Sequence, residues 1–273
     1  MKQRKIGSVT LVFDPGEQET ADVIGGACEG AIQLAQEIWG LGAPEDCRIY
    51  VMTSWLGFIF RSAPWSWRIL LGATMPFWVF RVRRTWPYSA AWTQRYGRRI
   101  AIGVKPPRLL AQSDRSIGVR MFVEEKDMKV KVRHVTCHEL VHACSAFLRL
   151  PMWLNEGMAT MTVDRFLGKP TIRRETLEIM RDFVPKTAPP TYRKLSRMGL
   201  ETIAYQGIRG YWLVRYLEDE HPGFLRRTFS LGLKAKTIER EMATALGIEP
   251  ESFWSEIDEL VVGHFESKGE QTP

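Results

Sequence analysis

Hydrophobic and polar positions follow two different patterns along the chain, and the change falls before its middle. The first part contains three short apolar runs, each typical of a strand: SVTLVF at 8–13, CRIYVM at 47–52 and RRIAIGV at 98–104. Between the first two runs, from Glu17 to about Trp39, apolar residues recur at helical spacing. The beginning of the chain therefore predicts a strand, a helix and a strand.

The chain beyond Asp127 shows helical periodicity almost throughout. The apolar spacing predicts helices at about 128–149, 152–167, 171–183, 203–220, 223–233, 236–246 and 250–266. Strands that come first, with helices after them, are typical of an α+β fold. We therefore predict a small N-terminal mixed sheet with a helix in residues 1–113, then a mainly helical half in residues 114–273, the two forming one intimate unit.

An aromatic segment from Trp55 to Trp92 interrupts this plan. It contains six of the ten tryptophans, and it lies between Asp46 and Asp114, a stretch with eleven basic residues and no acidic one. Its longest uncharged apolar run, residues 69–80, has twelve residues, whereas a transmembrane helix needs about 20. Residues 53–93 are therefore predicted to form a basic, Trp-rich insert that does not cross a membrane as a single helix.

Two environments stay open for this insert, and a third is disfavoured. Tryptophan favours the headgroup level of a bilayer and arginine favours anionic lipid, so residues 55–92 are candidates for contact with an anionic membrane surface. The same aromatic side chains suit a buried core or the wall of a substrate cleft. Single-stranded nucleic acid also fits a basic and aromatic surface, but the sequence has no signature of a nucleic-acid-binding module, so no nucleic acid is expected.

Composition narrows the class of protein only slightly. An apolar share of 45% with 25% charged residues is ordinary for a folded chain. The start, MKQRKIGSVTLVFDPG, has no apolar stretch typical of a secretory signal, and the four cysteines lack the spacing of a disulfide framework. These observations predict a cytoplasmic protein. Peripheral attachment to the inner face of the membrane stays open as an additional hypothesis.

Residues 138–142 read HELVH, the His-Glu-x-x-His pattern. On a helix, His138 and His142 lie on one face and can bind one metal ion. Glu139 is then placed beside the metal, where a carboxylate can act as a general base. Two histidines leave zinc short of ligands, so the pattern predicts a third ligand from another part of the fold.

The next helix offers that third ligand. Pro151 stops the first helix and a new one begins near Trp153, so the chain can turn back on itself. Glu156 then falls within the first turn or so of the returning helix. Gly157 is small enough to let this helix approach the one that carries His138.

HELVH followed by WLNEGMA resembles the zinc-binding helices of the gluzincin metallopeptidases, notably the aminopeptidase N family. Thirteen residues separate His142 from Glu156; this shorter connection is similar to that of compact peptidase MA-like proteins. The resemblance implies Zn²⁺ bound by His138, His142 and Glu156. The Gly-x-Met-Glu-Asn motif, which binds a substrate's amino terminus in those aminopeptidases, is absent from the sequence, so an endopeptidase is favoured over an aminopeptidase.

The same resemblance implies a residue that stabilises the oxyanion of the tetrahedral intermediate. Residues 203–212, IAYQGIRGYW, resemble the aminopeptidase Tyr-x-x-Gly helix start. Tyr205 is the first candidate for this role and Tyr211 the second, while two packed aromatic side chains are the structural alternative. His134, one turn before His138, is expected to stay outside the ligand set because three histidines on one straight helix cannot share a metal without strain.

The sequence thus predicts a zinc-dependent peptidase that cleaves a peptide or protein substrate with metal-activated water and Glu139 as general base. The competing hypothesis is a peripheral membrane-binding protein whose zinc site is structural or vestigial. Activity at a membrane surface would combine the two.

Overall fold

The structure is a computed structural model that describes residues 1–113, 118–191, 194 and 198–269. The chain forms two compact units. The first comprises Met1–Gln36, Gly42–Val119 and Glu124–Cys144, and the second comprises Glu37–Leu41, Arg120–Val123 and Ser145–Pro273. The first unit therefore contains the HELVH histidines as well as the sheet, whereas the boundary predicted from sequence places these histidines in the second half.

A five-stranded mixed sheet forms the centre of the first unit. Its strands are β1 (Lys2–Ile6), β2 (Val9–Phe13), β3 (Asp46–Val51), β4 (Ala91–Tyr96) and β5 (Arg99–Val104). They lie in the order β1-β2-β3-β5-β4, with parallel pairing at the centre and an antiparallel hairpin at each edge. The three predicted strands correspond to β2, β3 and β5, and the predicted α+β class is confirmed.

The first helix, α1 (Gln18–Trp39), makes the crossover between the parallel strands β2 and β3. Its apolar positions recur every three or four residues, and Ile24, Ala27, Ala31 and Ala35 are fully buried. This burial explains why the periodicity of the sequence located the helix to within one residue at its start.

The Trp-rich segment folds into three short helices, α2 (Trp55–Ser62), α3 (Trp65–Ala73) and α4 (Met75–Thr85), before it enters β4. One part of it belongs to the core, because Phe58, Ile59 and Val82 are buried. Four tryptophans are half-buried against the same cluster: Trp55, Trp78, Trp86 and Trp92. Other large apolar side chains of the segment are exposed. The core interpretation of this segment therefore holds for one of its faces only.

Helices dominate the rest of the chain. They are α5 (Pro107–Ser113), α6 (Gly118–Met121), α7 (Met128–Ser145), α8 (Met152–Leu167), α9 (Thr176–Asp182), α10 (Leu200–Glu220), α11 (Phe224–Ser230), α12 (Ala235–Leu246) and α13 (Phe253–Gly269). The helix predicted from 171 begins later because Ile172 forms a β-bridge with Phe122. Within the described ranges, none of the helices is both long and apolar enough to cross a membrane.

Two glycines let α8 and α10 cross with their backbones in close contact. A Cβ atom on Gly157 would lie 2.2 Å from the carbonyl oxygen of Gly210, and one on Gly210 would lie 2.2 Å from the carbonyl oxygen of Trp153. The closest approach at Gly157 is thus to α10. The sequence assigned this glycine to the contact with the His138 helix, whereas the three atoms nearest to an added Cβ all belong to α10.

We expect Gly157→Ala to lower the free energy of unfolding by ~1–3 kcal/mol, because the added methyl group forces two backbones apart. The matched control is Gly263→Ala in α13, where the new Cβ would have no atom within 4 Å apart from its chain neighbours and its own helix backbone. There, alanine should raise the free energy of unfolding by ~0.5–1 kcal/mol through helix propensity. Urea denaturation of both variants measures the difference, and equal stabilities would contradict the close crossing.

Candidate metal centre

His138 and His142 lie one turn apart on α7, and their rings face each other. Their Nε2 atoms are 3.0 Å apart, and the ring planes meet at 89°. Two imidazole nitrogens this close need a proton or a cation between their lone pairs. One zinc ion bound tetrahedrally to both would hold the nitrogens about 3.3 Å apart, so the observed pair is already near the required spacing.

Glu156 completes this pair in the way the sequence predicted. One ligand atom from each of His138, His142 and Glu156 lies within 4.8 Å of the other two, and all three side chains are half-buried. A carboxylate with two imidazoles is a donor set that suits zinc and other first-row transition metals. The three residues therefore form a group that can hold a metal ion.

The connection between α7 and α8 sets the position of Glu156 along its helix. Pro151 has an extended backbone, with φ −60° and ψ 149°, and α8 starts at the next residue. The Ser145 hydroxyl donates a 2.7 Å hydrogen bond to Oδ1 of Asn155, which joins the end of α7 to the first turn of α8. Glu156 follows Asn155 directly, so this bond limits the movement of Glu156.

Glu139 contacts the sheet through a residue that sequence reasoning missed. The Thr93 hydroxyl, in the middle of β4, donates a hydrogen bond to Oε2 of Glu139. β4 is the last strand of the sheet on its side. The carboxylate expected to act as general base is thereby held against an edge strand of the same compact unit.

His134 is half-buried and is not a member of the ligand group found among the described residues. Burial, aided by the nearby His138 and Lys131, lowers the pKa of His134 to about 3. Its ring is therefore neutral at physiological pH. This placement agrees with a role outside the set of metal ligands.

The two tyrosines proposed for oxyanion stabilisation both have their hydroxyl groups engaged within the second unit. Tyr205 is fully buried and donates a hydrogen bond to Oδ2 of Asp258 at 2.5 Å. Tyr211 is also fully buried, donates to Oδ2 of Asp164 at 2.7 Å, and accepts a bond from Arg215 at 2.9 Å. A structural role accounts for both hydroxyls, and the catalytic role of Tyr205 stays a prediction.

Asp258 is the centre of a buried charged network. Nε of Arg209 donates to Oδ1 of Asp258 at 2.6 Å, and both side chains are fully buried. Nζ of Lys186 lies 3.3 Å from Oδ2 of the same carboxylate. The remaining Arg209 nitrogens donate to the backbone carbonyls of Thr187 and Trp254. The guanidinium charge is therefore paired, and each of its three nitrogens donates a hydrogen bond, which compensates its burial.

The four cysteine thiols are unreactive in this structure. Burial raises the pKa of Cys28, Cys137 and Cys144 to about 12, and it also raises the pKa of Cys47. Thiols with such pKa values are protonated at neutral pH and are poor nucleophiles and metal ligands. The reactive groups that the structure gathers are consequently imidazoles and carboxylates.

Comparison with known proteins adds no identity to this description. The chain matches no protein-family model, no curated protein and no solved structure. Its chemistry must therefore be inferred from the geometry of the site.

Proposed function

We propose that the protein is a zinc-dependent peptidase of the gluzincin type. His138, His142 and Glu156 hold the ion, and Glu139 is the general base. The observation that carries this proposal is the convergence of the three ligand atoms within 4.8 Å of one another. Two histidines and one glutamate leave a tetrahedral zinc ion one open position, which is typical of catalytic rather than structural sites.

Proton transfer is the task of Glu139 in this proposal. A zinc ion in the site would polarise a substrate carbonyl and make water more acidic. Glu139 follows His138 directly in sequence, yet it stands outside the ligand group, so its carboxylate is retained for acid–base work. The Thr93 hydroxyl orients this carboxylate through Oε2. The side chain then accepts a proton from the attacking water and passes it to the leaving amine.

The position of Glu139 beside β4 favours an extended peptide as the substrate. The outer edge of a terminal strand presents backbone donors and acceptors with which another strand can pair. Thr93 lies near the centre of β4, so a peptide paired there would pass close to the general base. Pairing through the backbone does not require a chain terminus, and we therefore propose endopeptidase activity.

Metal analysis together with a peptidase assay tests the proposal. The purified protein is expected to contain about one zinc ion per chain and to cleave unstructured casein, and chelation should abolish the cleavage. Glu156→Ala should weaken zinc binding at least ~100-fold, because it removes a ligand rather than a supporting group. The control His264→Ala should keep its zinc, since that ring lies against Tyr216 and Phe265.

Two results would contradict the proposal in different ways. Zinc affinity that is unchanged in Glu156→Ala would remove the proposed ligand set. Stoichiometric zinc without cleavage of casein or of a peptide library of varied sequence would instead support the competing hypothesis of a structural or vestigial site.

A further inference from the structure

The helices α3 and α4 expose large apolar side chains that do not pack into the core of the first unit. Both helices are anchored from one side: Val82 of α4 is buried, and Nε1 of Trp78 donates to the carbonyl oxygen of Leu71 at 3.2 Å. Trp78 also packs edge-on against Trp55, with ring centroids 6.2 Å apart. The exposed side chains are therefore carried on helices fixed to the rest of the unit.

The exposed side chains are among the most hydrophobic that proteins contain. The exposed fractions are 75% for Trp65 and 64% for Ile69 on α3, and 88% for Phe77 and 76% for Phe80 on α4. Trp65 and Ile69 are four residues apart, and Phe77 and Phe80 are three apart, so each pair shares one face of its helix. Clusters of this kind mark contact surfaces for a protein or a membrane.

The charge of the segment indicates which of these partners fits. Arg83 and Arg84 are exposed in the last turn of α4, and Arg84 lies one and two turns beyond Phe80 and Phe77 on the same face. The sequence has no acidic residue between Asp46 and Asp114. Phenyl, indole and aliphatic side chains beside arginine are the combination that inserts into the interface of an anionic bilayer.

We propose that the exposed faces of α3 and α4 bind the surface of an anionic lipid bilayer. Trp65, Ile69, Phe77 and Phe80 enter the headgroup and upper acyl region, while Arg83 and Arg84 pair with lipid phosphates and carboxylates. Single-stranded nucleic acid is the less favoured partner, because Ile69 has no stacking surface to offer to bases. The proposal is independent of the metal site and of peptidase activity.

Vesicle sedimentation of the full chain tests this docking surface. The wild-type protein is expected to sediment with vesicles of phosphatidylcholine and phosphatidylserine, and to bind pure phosphatidylcholine at least about tenfold more weakly. The double variant Phe77→Ser/Phe80→Ser should lose about tenfold or more in affinity for the anionic vesicles. Leu231→Ser, which changes an exposed leucine in the second unit, should bind like wild type.

Charge is tested separately with variants of equal net charge. Arg83→Gln/Arg84→Gln should reduce binding to anionic vesicles by about 30-fold at low salt, because two arginines leave the lipid surface. Lys236→Gln/Arg240→Gln removes the same charge from exposed positions of α12 and should have little effect. If both double variants weaken binding equally, the attraction belongs to the net charge of the chain, and the proposal is overturned.

Quenching by brominated lipid provides a readout that does not depend on the serine variants folding. Brominated acyl chains should quench the tryptophan fluorescence of bound wild-type protein, and Trp65→Phe should reduce that quenching. Absence of binding to anionic vesicles at low salt would overturn the proposal, as would binding without quenching. Binding of a single-stranded oligonucleotide, or a dimer that Phe77→Ser/Phe80→Ser dissociates, would do the same if vesicles are not bound.

Discussion

Glu139→Gln is expected to lower kcat for peptide hydrolysis by ~10²–10⁴ while leaving the zinc content at the wild-type level. The glutamine has nearly the same shape, and its amide oxygen can still accept the Thr93 hydrogen bond, but it cannot take up a proton from water. Because the ligand group comprises His138, His142 and Glu156, metal binding should not change. Initial rates on a responsive peptide, with metal analysis of the same sample, measure both effects.

Two further variants separate the proton transfer by Glu139 from the orientation of its carboxylate. Thr93→Val removes the hydroxyl that orients Oε2 of Glu139, and we expect it to retain zinc and lose about tenfold in kcat. Glu124→Gln, an exposed carboxylate shortly before α7, should behave like wild type. Full activity in Glu139→Gln would remove this residue from the mechanism, and loss of zinc would reassign it to the metal coordination.

Asp258→Asn is expected to lower the free energy of unfolding by ~3–5 kcal/mol. The substitution leaves the fully buried Arg209 without its counter-charge, and it replaces an acceptor that also serves Tyr205. The neutral amide brings no negative charge to the desolvated guanidinium. The free energy of unfolding therefore falls by more than the contribution of the hydrogen bonds alone. Urea denaturation, followed by circular dichroism, measures the change.

Variants of two nearby residues provide reference values for this change in stability. Glu259→Gln removes an exposed charge from the same helix, beyond its first turn, and should change the stability by less than about 0.5 kcal/mol. Tyr205→Phe should lower it by ~1–3 kcal/mol, since Asp258 loses one donor. A fall of about 10² in kcat with unchanged stability would instead show that the Tyr205 hydroxyl stabilises an oxyanion. A stability loss under 1 kcal/mol in Asp258→Asn would contradict the structural role of the network.

The central strands and most helices could be predicted because their burial produces a recognisable pattern of apolar residues in the sequence. β3 and β5 pair on both sides and are largely buried, so they appear as apolar runs. β1 (KQRKI) is mostly exposed, and β4 (AWTQRY) is half-buried along most of its length, so neither edge strand shows such a run. The helix predicted to 149 ends at Ser145. Phe147 and Leu148 continue the apolar pattern but lie in a turn, and Arg149 then takes a left-handed backbone with φ 52°.

The group of His138, His142 and Glu156 could be predicted because its members are close in sequence and lie on consecutive helices. Helical geometry alone places His138 and His142 on one face, and the short connection at Pro151 limits where Glu156 can lie. Thr93 could not be found in this way, since it contacts Glu139 across 46 positions of sequence. That contact depends on the pairing of β4 with β5, which no local pattern specifies. The buried partner of Tyr205, Asp258, is hidden from the sequence for the same reason.

The crossing of α8 and α10 also bears on how relatives of this chain could be recognised. At residues 157 and 210 the opposite backbone already occupies the space that a side chain would need, so a larger residue at either position displaces the helix that presents Glu156. Descendants of a common ancestor could exchange most surface residues and still preserve this fit. We therefore expect homologous sequences to keep small residues at both positions together. Combined with HELVH and Glu156, this pair of small residues would distinguish homologues from chance occurrences of the metal-binding pattern.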